Sequence, residues 1–218
     1  MNIKHAFKLT ALTLLISGQA VMATNVIAAP SEAVISQYNL AAEGDEGKVD
    51  VVYEQLSQQI KSEGADALSM VYLGSTQTLM GRDAFMPWNK MKYTEQGLAT
   101  ISKGLSLLDA NSIDQQVYRQ GLPESVLAKA IAASTFTSLP DMFNHFERGY
   151  DIYLDLLEDE TFNAQSYEAT SWIYIYAIKA SLRAGDVNQA NLWLAEMQSQ
   201  NAHHPMTLQA EALINQAA

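Results

Sequence analysis

Apolar side chains recur along most of the chain at intervals of three and four residues, the spacing that places them on one face of an α-helix. Val52, Leu56 and Ile60 predict a first strong helix over about 48–62. The same pattern predicts further helices that begin near residues 66, 91, 123, 140, 164, 187 and 205, with a short helix or turn over 112–120. No alternation of apolar and polar residues is long enough to predict a strand of useful length.

Glycines separate the predicted helices. Gly64, Gly81 and Gly185 each follow an apolar stripe, and Gly81 and Gly185 are expected to end their helices as C′ glycines. Asp186 precedes the next stripe with Gln189 three residues further on, which is the arrangement of a capping box. Helices joined in this way form antiparallel hairpins, and such hairpins bury their apolar faces by stacking on one another. The sequence therefore predicts an all-α fold, an irregular α-solenoid of antiparallel helix hairpins.

Two stretches of the chain are similar to each other. Val71-Tyr72 runs on to Gly81 and Ile175-Tyr176 runs on to Gly185, with an offset of 104 residues, about three times the 34-residue period of tetratricopeptide repeats. Over roughly 66–205 the chain resembles the tetratricopeptide-repeat (TPR) superfamily. The matching positions are Leu73-Gly74 in the first unit and, in the clearest unit over 171–205, Tyr174, Ala177, Gly185-Asp186, Ala190, Leu194 and Met197.

This resemblance implies a TPR-like solenoid with a protein-interaction role. The family has no catalytic residues that could be matched to positions of this sequence. Three departures predict irregular repeats. Met197 is larger than the alanine it replaces. Ile178 stands where the family has a small residue, and the turn after Gly81 is enlarged by a connector expected over 82–90, which contains Pro87-Trp88.

The first 23 residues have the three parts of a secretory signal peptide. Lys4 and Lys8 precede a short apolar run, and Val21-Met22-Ala23 fits the small-x-small cleavage pattern. The alternatives are a buried N-terminal helix and a second cleavage site after Ala29. We therefore expect a signal peptide over 1–23, a loosely ordered lead-in over 24–45 with a short helix starting near Ser31, and a repeat domain over 46–218. In a Gram-negative host this predicts a periplasmic protein.

Charge and composition exclude several classes of partner and site. The formal net charge is −11, and removing residues 1–23, which contain two lysines and no acids, makes it −13. A surface of this sign repels phosphate backbones, so we expect no nucleic-acid partner. No later segment is apolar enough to predict stable membrane insertion. The absence of cysteine excludes disulfides, thiolate nucleophiles and zinc-thiolate sites.

The stretch over 81–93 carries the main candidate binding residues. It is net positive on an acidic protein and rich in aromatic residues, and tryptophan, tyrosine and arginine dominate binding hot spots. We expect it to bind a protein or peptide partner in the envelope, as an accessory to a transport or assembly system. The alternative is that Trp88 and Phe85 fold back as a plug over the hairpin. The candidate partner-binding residues are Arg82, Phe85, Trp88, Lys90, Lys92 and Tyr93.

A second hypothesis is a small-ligand site in an aromatic groove between hairpins, to which Trp172, Tyr174, Tyr176 and Trp193 would contribute. Its distinguishing sign would be a pocket of roughly a few hundred Å³ lined by tryptophan and tyrosine. The spacing of the histidines predicts no metal site, and no nucleophile motif or phosphate-binding loop is present. We therefore expect no catalytic residues and no cofactor.

Overall fold

The computed structural model describes residues 29–110 and 117–217, with the backbone alone at 109 and 110. The signal peptide expected over 1–23 lies outside the described residues, as does most of the short helix or turn expected over 112–120. In the described part, α-helices account for most of the chain, and the only strands are two short ones that pair antiparallel. The elements are α1 (Glu32–Glu43), α2 (Glu46–Glu63), α3 (Ala67–Asp83), α4 (Pro87–Ala110), β1 (Tyr118–Arg119), β2 (Leu122–Pro123), α5 (Glu124–Ser138), a 3₁₀ turn (Asp141–Phe143), α6 (Phe146–Glu158), α7 (Glu160–Asn163), α8 (Tyr167–Ala184), α9 (Val187–Asn201) and α10 (Pro205–Ala217).

The all-α class predicted from the periodicity is confirmed. Most helices pack on the helix that follows them in the chain, with α1 on α2, α3 on α4, α5 on α6 and α8 on α9. Helix α3 also packs on α2 and α5, and α10 packs on both α8 and α9. One cluster of buried apolar side chains runs through these helices from Ile35 in α1 to Ile214 in α10.

The segment expected to be loosely ordered is helical over most of its described length. Ser31 caps α1 by accepting a hydrogen bond from the backbone N–H of Val34, so the short helix expected near Ser31 is present. Ile35, Tyr38 and Ala41 are buried, and the Tyr38 ring meets the Tyr72 ring edge to face at 4.8 Å between centroids. The expectation of loose order is therefore wrong for α1, because one apolar face of this helix packs into the core.

Glycines let α3 and α4 approach each other closely. A Cβ atom placed on Gly97 of α4 would lie 2.5 Å from the backbone oxygen of Gly74 in α3, and one on Gly74 would lie 2.6 Å from the oxygen of Gly97. Gly104 faces Ala67 and Val71 in the same way. These contacts place the start of α3 beside the end of α4, so the two helices are antiparallel.

Gly81 was expected to end its helix, and this is wrong. Helix α3 continues to Asp83, and a Cβ atom on Gly81 would clash with the hydroxyl oxygen of Thr94 in α4. Gly81 is needed for the close approach of the two helices rather than for a left-handed turn. Gly185 does adopt the left-handed conformation, with φ of 78°, and Asp186 accepts a hydrogen bond from the Gln189 N–H.

Candidate functional site

The connector expected over 82–90 is much shorter in the structure. Helix α3 ends at Asp83 and α4 begins at Pro87, which leaves Ala84 to Met86 between them. Proline suits this position because the first turn of a helix requires no backbone N–H donor. The expected enlarged turn is therefore wrong, and most of the candidate binding residues are helical. Residues 84–88 are called the α3–α4 corner below.

Two apolar side chains at this corner are strongly exposed. Phe85 keeps 88% and Trp88 keeps 65% of its surface accessible, and Met86 beside them keeps 39%. The alternative in which Phe85 and Trp88 fold back as a plug is therefore wrong. Aromatic side chains dominate binding hot spots, so this corner is a candidate contact surface.

Arg82 is bound within the protein. Its Nε donates to Asp83 Oδ1 at 2.6 Å, and its two terminal nitrogens donate to the backbone oxygens of Ala41 and Ala42 at 3.1 and 3.3 Å. The hydrogen bond with Asp83 raises the pKa of Arg82, although partial burial opposes it. The last carbonyls of a helix lack partners within the helix, so Arg82 joins the C-terminus of α1 to the end of α3.

Lys90 lies on the first turn of α4 and its ammonium group donates to the backbone oxygen of Arg82 at 2.8 Å. Lys92 extends over the ring of Tyr93, with its Nζ 5.6 Å from the ring centroid. The six candidate residues thus divide into separate groups. Arg82 and Lys90 face a cleft, whereas Phe85, Trp88, Lys92 and Tyr93 do not line it.

This cleft has a volume of about 690 Å³ and is partly open to solvent. It lies where α1, α3, α4, α5 and α8 meet, and the connection between α5 and α6 closes one side. Its lining is mainly apolar. The lining residues are Tyr38, Ala42, Thr78, Leu79, Gly81, Arg82, Pro87, Lys90, Met91, Thr94, Ser134, Thr135, Ser138, Leu139, Pro140, Met142, Phe143 and Tyr176.

Several of the side chains that line the cleft carry hydroxyl groups. Thr135 Oγ1 lies 2.6 Å from the hydroxyl of Ser75, and the hydroxyl of Tyr38 interacts with both. Burial raises the pKa of Tyr38, so this phenol stays protonated and neutral at physiological pH. Ser138 donates to the backbone oxygen of Ser134 one turn earlier. The hydroxyls therefore give the cleft polar contacts without negative charge.

The aromatic groove expected from Trp172, Tyr174, Tyr176 and Trp193 does not form as a unit. Tyr174 and Trp193 are buried, at 4% and 6% exposure. Trp172 packs edge to face on Tyr176 with centroids 6.1 Å apart, and only Tyr176 reaches the cleft. The two tyrosines of the 104-residue similarity also differ, because Tyr72 is fully buried while Tyr176 is 39% exposed.

Several cleft residues were not among the candidates predicted from the sequence. Tyr38 fell in the segment expected to be loosely ordered, and Ser134, Thr135 and Ser138 lie on a helix predicted only by its apolar stripe. These three hydroxyls fall four or seven residues after Leu127 or Ile131, so they continue the apolar face of α5, and that placement was their signal in the sequence.

Two histidines of the described part make local side-chain contacts. His145 Nδ1 lies 2.6 Å from the backbone oxygen of Phe143, and His204 Nε2 lies 3.2 Å from a carboxylate oxygen of Glu168. Within residues 29–110 and 117–217, no three acidic or histidine side chains are grouped so that they could hold a metal ion. Among the same residues, no helix has the length and apolarity needed to cross a membrane.

Comparisons of the chain with protein-family models, with curated proteins and with solved structures found no match. The cleft and the α3–α4 corner themselves are therefore the basis for assigning a function.

Proposed function

We propose that this protein is a non-catalytic binding protein of the bacterial envelope that holds a small, largely apolar ligand in the cleft. The observation that carries the proposal is the cleft itself. Its volume of about 690 Å³ falls within the range of small-molecule sites, which are concave, mostly apolar and supplied with a few placed polar groups.

A neutral dye that fluoresces in apolar surroundings tests this proposal. Ser138 lines the cleft and is exposed, so Ser138→Trp fills the cleft without a change in the core. The expected result is saturable dye binding to the wild-type protein that Ser138→Trp abolishes.

Ser62→Trp is the matched control. Ser62 is also an exposed serine near a helix C-terminus, and its hydroxyl also donates to the backbone oxygen four residues earlier, at Gln58. It does not line the cleft, so this variant should bind the dye like the wild type. Equal binding by Ser138→Trp, at an unchanged melting temperature, would show that the dye binds elsewhere.

A second candidate function is docking of a protein or peptide partner on the α3–α4 corner, and the exposure of Phe85 and Trp88 favours it. Trp88→Ala should reduce crosslinking to a partner in envelope extracts and leave the melting temperature unchanged, because little of the Trp88 surface is buried. A melting temperature lowered by several degrees would instead give Trp88 a structural role.

We also propose that the hairpins form an irregular, TPR-like solenoid. The serial packing of neighbouring helices and the Gly185-Asp186 turn between α8 and α9 support this arrangement. An experimental structure in which the α3–α4 and α8–α9 hairpins fail to superpose would argue against it.

A further inference from the structure

The cleft differs in charge from the rest of the molecule. The chain has 24 acidic and 13 basic residues, yet the cleft lining contains Arg82 and Lys90 and no aspartate or glutamate. Lys179 lies next to it, with its ammonium group 4.9 Å from the ring centroid of the cleft residue Tyr176. A ligand selected by this lining would therefore combine an apolar body with negative charge.

We propose that the ligand of the cleft is an amphipathic anion, a monocarboxylate with an apolar tail, and that Lys90 binds its carboxylate. This inference rests on the proposed function, because it names the class of ligand for the same cleft.

Lys90 is better suited than Arg82 to bind the carboxylate. The donors of Arg82 already meet the carboxylate of Asp83 and the last carbonyls of α1. Lys90 has one hydrogen bond, to the backbone oxygen of Arg82, and no ion pair with any acidic residue of the described ranges. An ammonium group has three donors, so two remain for a ligand.

Three acidic groups on neighbouring elements interact with arginines rather than with Lys90. Asp83 pairs with Arg82, and Glu46 acts on Arg82 through its charge. Asp141, next to the lining residues Pro140 and Met142, pairs with Arg183. The positive charge of Lys90 is therefore available at the edge of the cleft.

The apolar part of the cleft sets the size of the tail. Leu79, Met91, Leu139 and Phe143 line it. At about 30 Å³ for each small group, a volume of about 690 Å³ holds roughly 20 non-hydrogen atoms. A medium-chain fatty acid fits within that limit.

Decanoate and decanol test the proposal because they share a chain length and differ in charge. Each is titrated as a competitor of the neutral dye on the wild-type protein, on Lys90→Gln and on Lys92→Gln. Lys92 is the matched control, since it is an exposed lysine of the same helix turn that does not line the cleft. We expect decanoate to bind the wild type about tenfold more tightly than decanol, the advantage typical of one charge-assisted hydrogen bond. Lys90→Gln should remove that difference and Lys92→Gln should keep it.

A salt series on the wild-type protein gives a measurement that does not depend on any variant. Added salt should weaken decanoate binding and leave decanol binding nearly unchanged, because screening acts on the charged pair. Equal affinities for the two competitors would overturn the anionic ligand, and an unaltered preference in Lys90→Gln would overturn the role of Lys90. The proposed function stands in both cases. Failure of the dye and of both competitors to bind the wild type would overturn the proposed function itself.

Discussion

The close approach of α3 and α4 gives the sharpest stability prediction. In Gly97→Ala the new methyl group would meet the Gly74 backbone oxygen at 2.5 Å, the Thr78 methyl carbon at 2.7 Å and the Thr78 backbone nitrogen at 2.9 Å. Two of these three atoms belong to the backbone and cannot rotate away, so the helices must move apart.

The magnitude follows from two opposing effects. Overpacking of this kind costs about 1–3 kcal/mol, and backbone contacts place it near the upper limit. Replacing glycine by alanine within a helix returns about 1 kcal/mol. The expected net loss is about 2 kcal/mol, which corresponds to a fall in melting temperature of about 4–8 °C for a chain of this size.

The control is Gly47→Ala. Gly47 is exposed near the start of α2, and its added Cβ would meet only the flexible Asp45 side chain, at 3.3 Å. The same substitution should therefore leave stability unchanged or raise it there. Thermal unfolding followed by circular dichroism measures both variants. If Gly97→Ala melts at or above the wild-type temperature, α3 and α4 do not approach each other as closely as these distances require.

Three further predictions concern a helix cap, a buried phenol and the cleavage site. Asp186→Ala should cost about 1–3 kcal/mol in denaturant unfolding, because it removes the N-cap of α9 and the hydrogen bond that Asp186 Oδ2 accepts from the Tyr150 hydroxyl. Asp45→Ala should be nearly neutral, since Asp45 makes no side-chain cap bond. Equal losses in the two variants would refute these roles for Asp186. Burial raises the pKa of Tyr174 to about 12. The stability linked to this phenol is therefore complete below pH about 10 and is lost as the pH rises towards 12. Ultraviolet titration should show that Tyr174→Phe loses a late-titrating phenol, and an unchanged late phase would contradict this. Ala29 is 7% exposed and belongs to the core cluster. Cleavage after Ala29 would place a charged N-terminus beside the core, which would destabilise the fold. The intact mass of the exported protein should therefore show cleavage after Ala23, and a chain beginning at Pro30 would contradict this.

Local patterns predicted the helices well because each depends on neighbours in the sequence. Val52 and Leu56 are buried on one face of α2 as the spacing required, and Pro205 begins α10 as expected. Asp186 caps α9 because capping needs only the next three residues. These features depend only on residues close together in the chain, so they can be predicted from a single sequence.

Gly81 marks the limit of such local patterns. A glycine after an apolar stripe is the usual sign of a helix end, but the missing side chain of Gly81 accommodates Thr94 of the next helix. The sequence around Gly81 contains no information about which residue faces it. The predicted length of the connector was wrong for the same reason, because it assumed that α3 ends at Gly81.

The cleft was predicted only in part, because five helices build it from positions far apart in the chain. Arg82, Lys90 and Tyr176 were candidates for other reasons and do line it. Tyr38 enters from α1, about 40 residues before Arg82 in the sequence. No pattern within a single helix predicts that these side chains line the same cavity.

Photocrosslinking is the most direct test of whether the cleft between α1, α3, α4, α5 and α8 holds the ligand. A decanoate analogue with a photoreactive group on its tail would be crosslinked to the wild-type protein and the labelled peptides mapped by mass spectrometry. We expect label in 78–94 and 134–143, which contain most of the lining residues, and loss of that label when unlabelled decanoate is added. Label concentrated on α9 and α10, or spread over the surface and insensitive to competition, would contradict a ligand site in the cleft.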